Sequence, residues 1–269
     1  MSVKTNELPQ AAAMADSDSF VATTSQGTKR ISLSLLKQIM GQIFAPAPVA
    51  STTVLYVNAD SGSDSSDGKS AERAKKTLAA ALATLPKDLG GKSVTINLSG
   101  TFDELVNIQD FCHGDLTLQG EEGAHGRFTN AGTIYSNDVL LTINNVDFSG
   151  TASSHVLIIR DNKSVVIENS VMDATAGGNG PMMRRNGYVF FNNCSISNAS
   201  RDALLVNSGV VSVLNLSGSS NNTGVKCGNS YYRETGIVIA NGLTISASVQ
   251  FQSEQGGVIF NDGKLYGGE

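Results

Sequence analysis

One short apolar pattern recurs along the chain at a nearly constant spacing from residue 94 to the last ten residues. Self-similarity at such a spacing is typical of stacked units, each of which buries its apolar side against its neighbours. The second members of successive pairs are 20 to 26 residues apart. In each unit two apolar residues flank one intervening position, and the last unit keeps only one of them: Val94/Ile96, Leu116/Leu118, Leu141/Ile143, Val165/Ile167, Val189/Phe191, Val211/Val213, Ile237/Ile239 and Ile259.

An asparagine stands two positions after the second apolar residue in six consecutive units. Period-two alternation of β-branched residues predicts a strand in each unit. Asparagine tolerates a left-handed backbone, and stacked asparagines can bond to one another. The pattern therefore predicts a mainly β fold, with a parallel β-helix of about seven or eight coils, roughly 35 Å long, over residues 92–269. The predicted ladder consists of Asn145, Asn169, Asn193, Asn215, Asn241 and Asn261.

The composition fits a turn-rich β protein and argues against some classes of binding partner. Charged residues make up 16% of the 269 residues, the net charge is -5, and tryptophan is absent. This balance argues against nucleic acid or an anionic membrane as a partner. No apolar run has the length of a signal peptide or a membrane span, so we expect no membrane insertion and assembly in a cytoplasm.

The three cysteines, Cys112, Cys194 and Cys227, are widely separated and form no CxxC motif. Their spacing favours reduced thiols in apolar packing over a metal or redox role. The sequence predicts no metal and no cofactor.

Residues 1–45 form a separate N-terminal segment with few apolar residues. Within it, SQGTKR predicts a turn between two short strands, and Leu36, Ile39, Met40 and Ile43 fall on one face of a short helix. Residues 46–52, with two prolines, predict an extended linker.

Residues 53–91 lead into the repeats. A strand is predicted at 53–58, followed by an acidic loop with Asp60, Asp64 and Asp67. The spacing of these acids matches neither the EF-hand loop nor a nonapeptide calcium repeat, which favours a solvated turn. A helix from Ser70 to Leu85 follows and is expected to cover the apolar end of the first coil.

The order of these segments resembles bacteriophage tail-fibre, tailspike and head-fibre proteins. The motifs are ELP, SQGTKRISL, YVNADSGSDSSDGKSAERAKKTLAAALATLP and SVTINLSGTFDE. The resemblance implies a right-handed, pectate-lyase-like β-helix, a homotrimer, and a virion location after assembly in the host bacterial cytoplasm. It also implies that residues 1–45 bind virion proteins, with an anchor built from Leu8, Phe20, Ile31, Leu36 and Ile39.

A glycan-cleaving β-helix would need two carboxylates, or calcium-binding acids with a base, at aligned positions. The position before the ladder asparagine carries only one carboxylate: Asn144, Glu168, Asn192, Leu214 and Ala240. Asp161 and Glu168 are a weak catalytic alternative. His113, His125 and His155 show no partner pattern and are poor candidates for a catalytic base.

Arg160, Arg184, Arg185 and Tyr188 are candidate ligand-binding residues, although salt bridges on a solvated face, with Asp161 in the same cluster, are the favoured explanation. The sequence thus favours a non-enzymatic virion appendage that displays a β-helix for host-surface attachment. Two alternatives stay open, a polysaccharide depolymerase and a glycan-binding adhesin without catalysis.

Overall fold

The computed structural model describes residues 19–24, 27–32, 51–150, 155–174, 178–228 and 234–267, and it divides the chain into two compact units, Met1–Ala47 and Pro48–Glu269. In the first unit, β1 (Ser19–Thr24) and β2 (Gly27–Ser32) pair antiparallel, with Phe20 opposite Ile31. The hairpin predicted around SQGTKR is therefore confirmed. Leu8 and the predicted helix with Leu36 and Ile39 lie outside the described residues.

The described part of the second unit is almost entirely β-structure. Its only α-helix, α1, spans Leu78–Ala83 and follows a 3-10 turn at Ala71–Arg73. The described helices all fall short of the length and apolarity needed to cross a membrane. The strands are β3 (Thr53–Asn58), β4 (Asp88–Ser99), β5 (Thr101–Phe102), β6 (Val106–Gln109), β7 (Cys112–Gly120), β8 (Gly126–Phe128), β9 (Gly132–Tyr135), β10 (Asp138–Asn144), β11 (Val146–Ser149), β12 (Leu157–Arg160), β13 (Ser164–Glu168), β14 (Val171–Asp173), β15 (Met182–Arg184), β16 (Asn186–Ser197), β17 (Asp202–Val206), β18 (Gly209–Cys227), β19 (Gly236–Ser253), β20 (Val258–Asn261) and β21 (Lys264–Gly267).

Apart from β21, these strands stack as three parallel β-sheets, which we call the first, second and third sheets. The first sheet runs through β3, β4, β7, β10, β13, β16, β18, β19 and β20. The second begins with β5, β8, β11 and β14 and continues into β16, β18 and β19. The third begins with β6, β9, β12, β15 and β17 and continues into β18 and β19. The predicted parallel β-helix is confirmed, with about seven turns. Its hand stays a prediction.

The predicted apolar pairs form the core of the first sheet from Val94 to Val213. Leu116 pairs in register with both Val94 and Leu141, and the inward side chains along this part of the sheet are almost completely buried. The second sheet adds a stack of phenylalanine rings, since the centroid of Phe128 lies 4.9 Å from that of Phe102 and 6.0 Å from that of Phe148. The core is thus continuous along the stack.

The predicted register is wrong by one residue in the last coils. Val211 pairs with Val238, so Val238 and Ala240 are buried, whereas Ile237 and Ile239 face outward. Because a one-residue shift reverses the face of every side chain in a strand, Asn241 and Asn261 leave the predicted ladder. Leu214 pairs with Asn241, and Ala240 pairs with Asn261.

The stack also begins earlier than predicted. Thr53 pairs with Val94 and Asn58 with Ser99, so β3 is the first strand of the first sheet and the β-helix does not begin at residue 92.

The helix predicted over Ser70–Leu85 is shorter and is interrupted before Leu78. The Asp64 carboxylate accepts bonds from the backbone of Lys76 and Thr77, and the Glu104 carboxylate accepts the backbone N–H of Leu78 and Ala79. These acids satisfy N–H groups where α1 begins, as expected for a helix N-terminus. The role of α1 as a cap on the first coil stays a prediction.

A buried asparagine ladder lies where each coil turns from the third sheet into the first. It consists of Asn137, Asn162 and Asn186, each at most 5% exposed. The Asn137 Nδ2 donates to Asn162 Oδ1 at 2.9 Å, and the Asn162 Nδ2 donates to Asn186 Oδ1 at 3.1 Å. Each Nδ2 also donates to a backbone carbonyl of the preceding coil, at Ile108, Ile134 and Ile159 respectively. The ladder therefore ties consecutive coils together inside the core.

The C-terminal end of the stack folds back on itself. β21 pairs antiparallel with β20, and the Tyr266 ring lies 4.4 Å from the Phe251 ring. The unpaired edge of β20 is thereby covered by a hairpin, which limits edge-to-edge association.

Candidate functional site

The candidate site is a groove of about 610 Å³ at the corner where the first sheet turns into the second. We call it the ladder groove. One side carries three asparagines of a surface ladder and a glycine, and the other carries four outward side chains, of which three bear hydroxyls. The ladder side is Asn169, Asn193, Asn215 and Gly242, and the opposite side is Val171, Ser195, Ser217 and Thr244.

The left-handed backbone of the ladder residues creates this corner. Asn145, Asn169, Asn193 and Asn215 all have φ between 50° and 54°. Asparagine adopts this conformation more readily than most residues with a side chain. The following residue then points into the core, as buried Ser170 and Cys194 do, and the one after it points outward.

The ladder side chains bond along the stack. The Asn215 Nδ2 donates to Asn193 Oδ1 at 3.0 Å, and the Asn193 Nδ2 donates to Asn169 Oδ1 at 3.4 Å. Asn169 in turn donates to Asn144 Oδ1 at 2.8 Å. An amide has two N–H donors and two lone pairs. These bonds use one donor and one lone pair of Asn193, which leaves the rest for a ligand in the groove.

The ladder groove is uncharged along most of its length. No carboxylate, lysine or arginine is among the described residues that line it, and His125 lies at one end. Such a surface suits a neutral, hydroxyl-rich ligand better than an ionic one.

At that end, His125 and Asp147 form a close pair that sequence analysis missed. The His125 Nδ1 lies 2.7 Å from Asp147 Oδ1, which also accepts the Val171 N–H at 3.0 Å. The guanidinium of Arg127 lies 3.6 Å from the second carboxylate oxygen. Asp147 is only 8% exposed, so it holds the imidazole in one orientation. A small hollow next to the pair is lined by Arg127, Asp147 and Asp173, among others.

The structure pairs Asp161 with Arg185. The Arg185 Nε donates to Asp161 Oδ1 at 2.6 Å and its second guanidinium nitrogen donates to Oδ2 at 2.9 Å. The side-chain bond from Arg185 lowers the pKa of the Asp161 carboxyl, with burial acting in the opposite direction. A carboxyl held ionised in this way is poorly suited to act as a general acid.

The other predicted ligand-binding residues do not converge on one site. Arg184 makes a two-pronged salt bridge with Glu234, and both side chains are mostly buried. Arg160 lies over the Tyr135 ring, 5.1 Å from its centroid. Tyr188 stacks on Phe190 on the outer face of the first sheet.

Asp161 precedes β13 and Glu168 is the last residue of that strand, so the two do not form a carboxylate pair. The Glu168 Oε1 accepts a bond from Asn192 at 3.1 Å, within a row of outward side chains on the first sheet. Asp161 lies at the corner before the same strand begins. Asp161 and Glu168, the weak catalytic alternative from the sequence, therefore do not share a site.

The cysteines differ in their surroundings. Cys194 and Cys227 are buried, and desolvation raises the pKa of each thiol to about 11. Both are thus thiols packed in the apolar core. Cys112 is only partly buried and lies at the surface of the stack.

A second surface is the apolar outer face of the first sheet towards its C-terminal end, which we call the apolar face. Its large side chains are 38% to 50% exposed: Tyr188, Leu214, Ile237, Ile239 and Phe260. Contiguous exposed apolar side chains on a sheet are typical of protein interaction surfaces.

No protein-family model and no curated protein matches this chain. Among solved structures, the chain is similar to the native GH136 lacto-N-biosidase from Eubacterium ramulus, with a TM-score of 0.43 and 11% sequence identity. The similarity covers 72% of this chain and 51% of the lacto-N-biosidase chain, so it spans about half the length of that protein.

Proposed function

We propose that the chain is a β-helical virion appendage of a phage or prophage, which binds a host-surface glycan along the ladder groove. The observation that carries this proposal is the uncharged lining of the groove, with amides on one side and hydroxyls on the other. Sugars are recognised through their hydroxyl groups, and such side chains can both donate to and accept from them. The groove volume of about 610 Å³ lies within the usual range for ligand sites.

The stacking of the coils suits a polymeric ligand. Equivalent amides recur on three successive coils and equivalent hydroxyls on three, with neighbouring coils about 4.8 Å apart. A chain of similar sugar units lying along the stack would therefore meet the same groups several times. Repeated weak contacts of this kind add up to useful affinity.

The virion role is supported by the sequence resemblance and by the separate N-terminal unit, Met1–Ala47. Deleting residues 1–45 is expected to leave the β-helix folded and to prevent its incorporation into particles. Normal incorporation of the truncated protein would contradict the anchor assignment.

Self-association is the proposed role of the apolar face, with further copies of this chain as its partner and a trimer as the product. Ile239→Lys places a charge at the centre of this face. Light scattering should give three times the 28.1 kDa chain mass for the unchanged protein and a smaller mass for the variant. Thr142→Lys is a matched control, since Thr142 belongs to the same outward column on an earlier coil. A monomeric mass for the unchanged protein would contradict the trimer.

Binding is tested with purified bacterial surface polysaccharides on an array, followed by titration of the best ligand. Asn193→Gly should weaken binding, because it removes an amide from the centre of the groove. Failure of the unchanged protein to bind any neutral surface polysaccharide would contradict the proposed function.

A polysaccharide depolymerase is the second candidate, favoured by one observation. The His125–Asp147 pair supplies an oriented base at the end of the groove, with the Asp173 carboxylate beside the same hollow. Incubation with a bound glycan, followed by measurement of reducing or unsaturated ends, separates cleavage from binding. Products that disappear in His125→Asn or Asp147→Asn would favour the enzyme, and binding without products would favour the appendage alone.

A further inference from the structure

Three side chains with different ligand chemistry converge on the surface of the early coils, away from the ladder groove. They are Asp88 on β4 and Cys112 and His113 on β7. One carboxylate oxygen, the Cys112 Sγ and one imidazole nitrogen all lie within 4.8 Å of one another. The His113 Nδ1 is 3.2 Å from Asp88 Oδ1. Among the described residues this is the one such cluster of histidine, cysteine and acidic groups.

Irregular backbone brings this cluster together. The register of β4 against β7 shifts between Asp88 and Lys92, and the register of β7 against β10 shifts between Asp138 and Leu140. His113 has a φ of 54°, which a residue with a side chain seldom adopts. Bulges of this kind redirect a side chain and are common next to functional sites.

Asp138 adds a second carboxylate on the next coil. Cys112 pairs with Asp88 on one side and with Asp138 on the other, so the thiol stands between two acids along the stack. Asp138 also forms an ion pair with Lys163, 3.1 Å away, on the coil beyond. Desolvation, and then the charges of Asp88 and Asp138, raise the pKa of the Cys112 thiol. A bound divalent cation would reverse that effect, because it favours the thiolate.

We propose that Asp88, Cys112 and His113 form a binding site for a divalent cation of the zinc class, with Asp138 or water as the fourth ligand. One sulfur, one nitrogen and one carboxylate oxygen are typical zinc ligands, whereas calcium and magnesium prefer oxygen alone. Tetrahedral zinc holds its ligand atoms about 3.3–3.8 Å apart. Exposed side chains such as His113, with 66% of its surface accessible, can rotate to close the remaining gap.

The proposed site links two successive coils near the start of the stack. Asp88 belongs to the coil of β4, and Cys112 and His113 begin the first-sheet strand of the next coil. A metal bound there would hold these coils together, and it would stabilise the folded state because the unfolded chain lacks the site. The site is separate from the ladder groove and does not depend on the glycan proposal.

The test uses the full-length, tag-free protein, stripped of metal and kept reduced without a chelating reductant. Co²⁺ is titrated as a spectroscopic probe, and Zn²⁺ is then added in competition. We expect one equivalent of Co²⁺ to give a thiolate-to-cobalt charge-transfer band and tetrahedral visible absorption, both lost when Zn²⁺ displaces it. Zn²⁺ should also raise the melting temperature of the reduced protein.

Two variants and one matched control define the ligands. Cys112→Ser should abolish the charge-transfer band, and His113→Asn should weaken Zn²⁺ binding at least tenfold. Asparagine is chosen at 113 because it tolerates the left-handed backbone. His125→Asn is the control, since His125 also has a positive φ and lies beside an aspartate on the next coil.

The control should bind Zn²⁺ as the unchanged protein does. The proposal is overturned if Co²⁺ gives no thiolate band, if Cys112→Ser binds Zn²⁺ with unchanged affinity, or if His125→Asn weakens binding as much as His113→Asn.

Discussion

Two asparagine ladders stand at opposite ends of the first-sheet strands, and they differ in what surrounds them. Asn137 and Asn162 come just before β10 and β13, Asn186 is the first residue of β16, and all three are buried. The surface ladder comes just after β10 and β13 and within the longer β16 and β18: Asn145, Asn169, Asn193 and Asn215. In both, the amide of one coil bonds to an asparagine of an adjacent coil.

The buried ladder uses its amides fully on the protein itself. Asn162 donates to two backbone carbonyls and to Asn186, and its oxygen accepts from the Asn137 backbone and side chain. The surface ladder keeps part of its bonding capacity for the groove. The same residue type in the same kind of stack is therefore structural where it is buried and available to a ligand where it is exposed.

The largest expected effect is on the buried ladder. Asn162→Ala leaves several buried N–H and carbonyl groups without partners, so we expect a loss of about 2–5 kcal/mol in the free energy of unfolding. Urea denaturation followed by circular dichroism measures it. Asn193→Ala is the matched substitution in the surface ladder and should cost clearly less. Equal losses would remove the distinction between the ladders.

The second effect concerns the ligand capacity of the surface ladder. Asn193→Gly keeps the left-handed turn but removes the amide, and we expect the affinity for a bound glycan to fall about tenfold, as the loss of one or two hydrogen bonds would give. Isothermal titration measures the change. Ser136→Gly, at another left-handed position outside the ladder groove, should bind normally. Unchanged affinity for Asn193→Gly would place the ligand elsewhere.

A smaller effect separates backbone strain from side-chain bonding in the surface ladder. Asn169→Ala puts a residue with a β-carbon and no local amide bond into a left-handed conformation, which costs about 1 kcal/mol. Asn169→Gly should stay closer to the unchanged protein, because glycine adopts this φ without strain. The urea midpoints of the two variants measure the difference. A glycine variant less stable than the alanine variant would show that the turn does not need the left-handed backbone.

The smallest effect is expected from the exposed ion pair beside the buried ladder. The bond from Arg185 lowers the pKa of Asp161, so the pair stabilises the fold above the unfolded pKa of about 3.9 and loses this contribution as pH falls through the lower folded value. Asp161→Asn should therefore lower the urea midpoint slightly at pH 7 and less at pH 2.5. A difference that grows towards acid pH would contradict this assignment.

Much of the fold could be predicted because the core of a stacked coil repeats in the sequence. The pairs from Val94 to Val213 lie in register, and the hairpin at SQGTKR is present. The predicted register is wrong at β19, since the chain between Val213 and Ala240 contains one residue more than the repeat pattern suggested. The prediction of a long α-helix is wrong because Asp64 and Glu104, which are distant in sequence, set where α1 begins.

The candidate site could be predicted only in part. Asn169, Asn193 and Asn215 were found by their spacing, and they line the groove. The buried ladder was missed although its members are 24 or 25 residues apart, because it stands at a corner without apolar pairs to align it. A search for any polar residue at the repeat spacing would have found it.

The sequence by itself determined the parallel stack, because each coil buries the same two inward positions and so repeats the same apolar pattern. Only the tertiary structure decided which polar residues meet. His125 and Asp147 are 22 residues apart, and Asp88 and Cys112 are 24 apart, yet each pair lies on adjacent coils. Which residues become neighbours depends on how each coil closes. That closure depends on corner residues and bulges, which vary from one coil to the next. The surface ladder illustrates both contributions, since its spacing can be predicted from the sequence whereas its exposure depends on the fold.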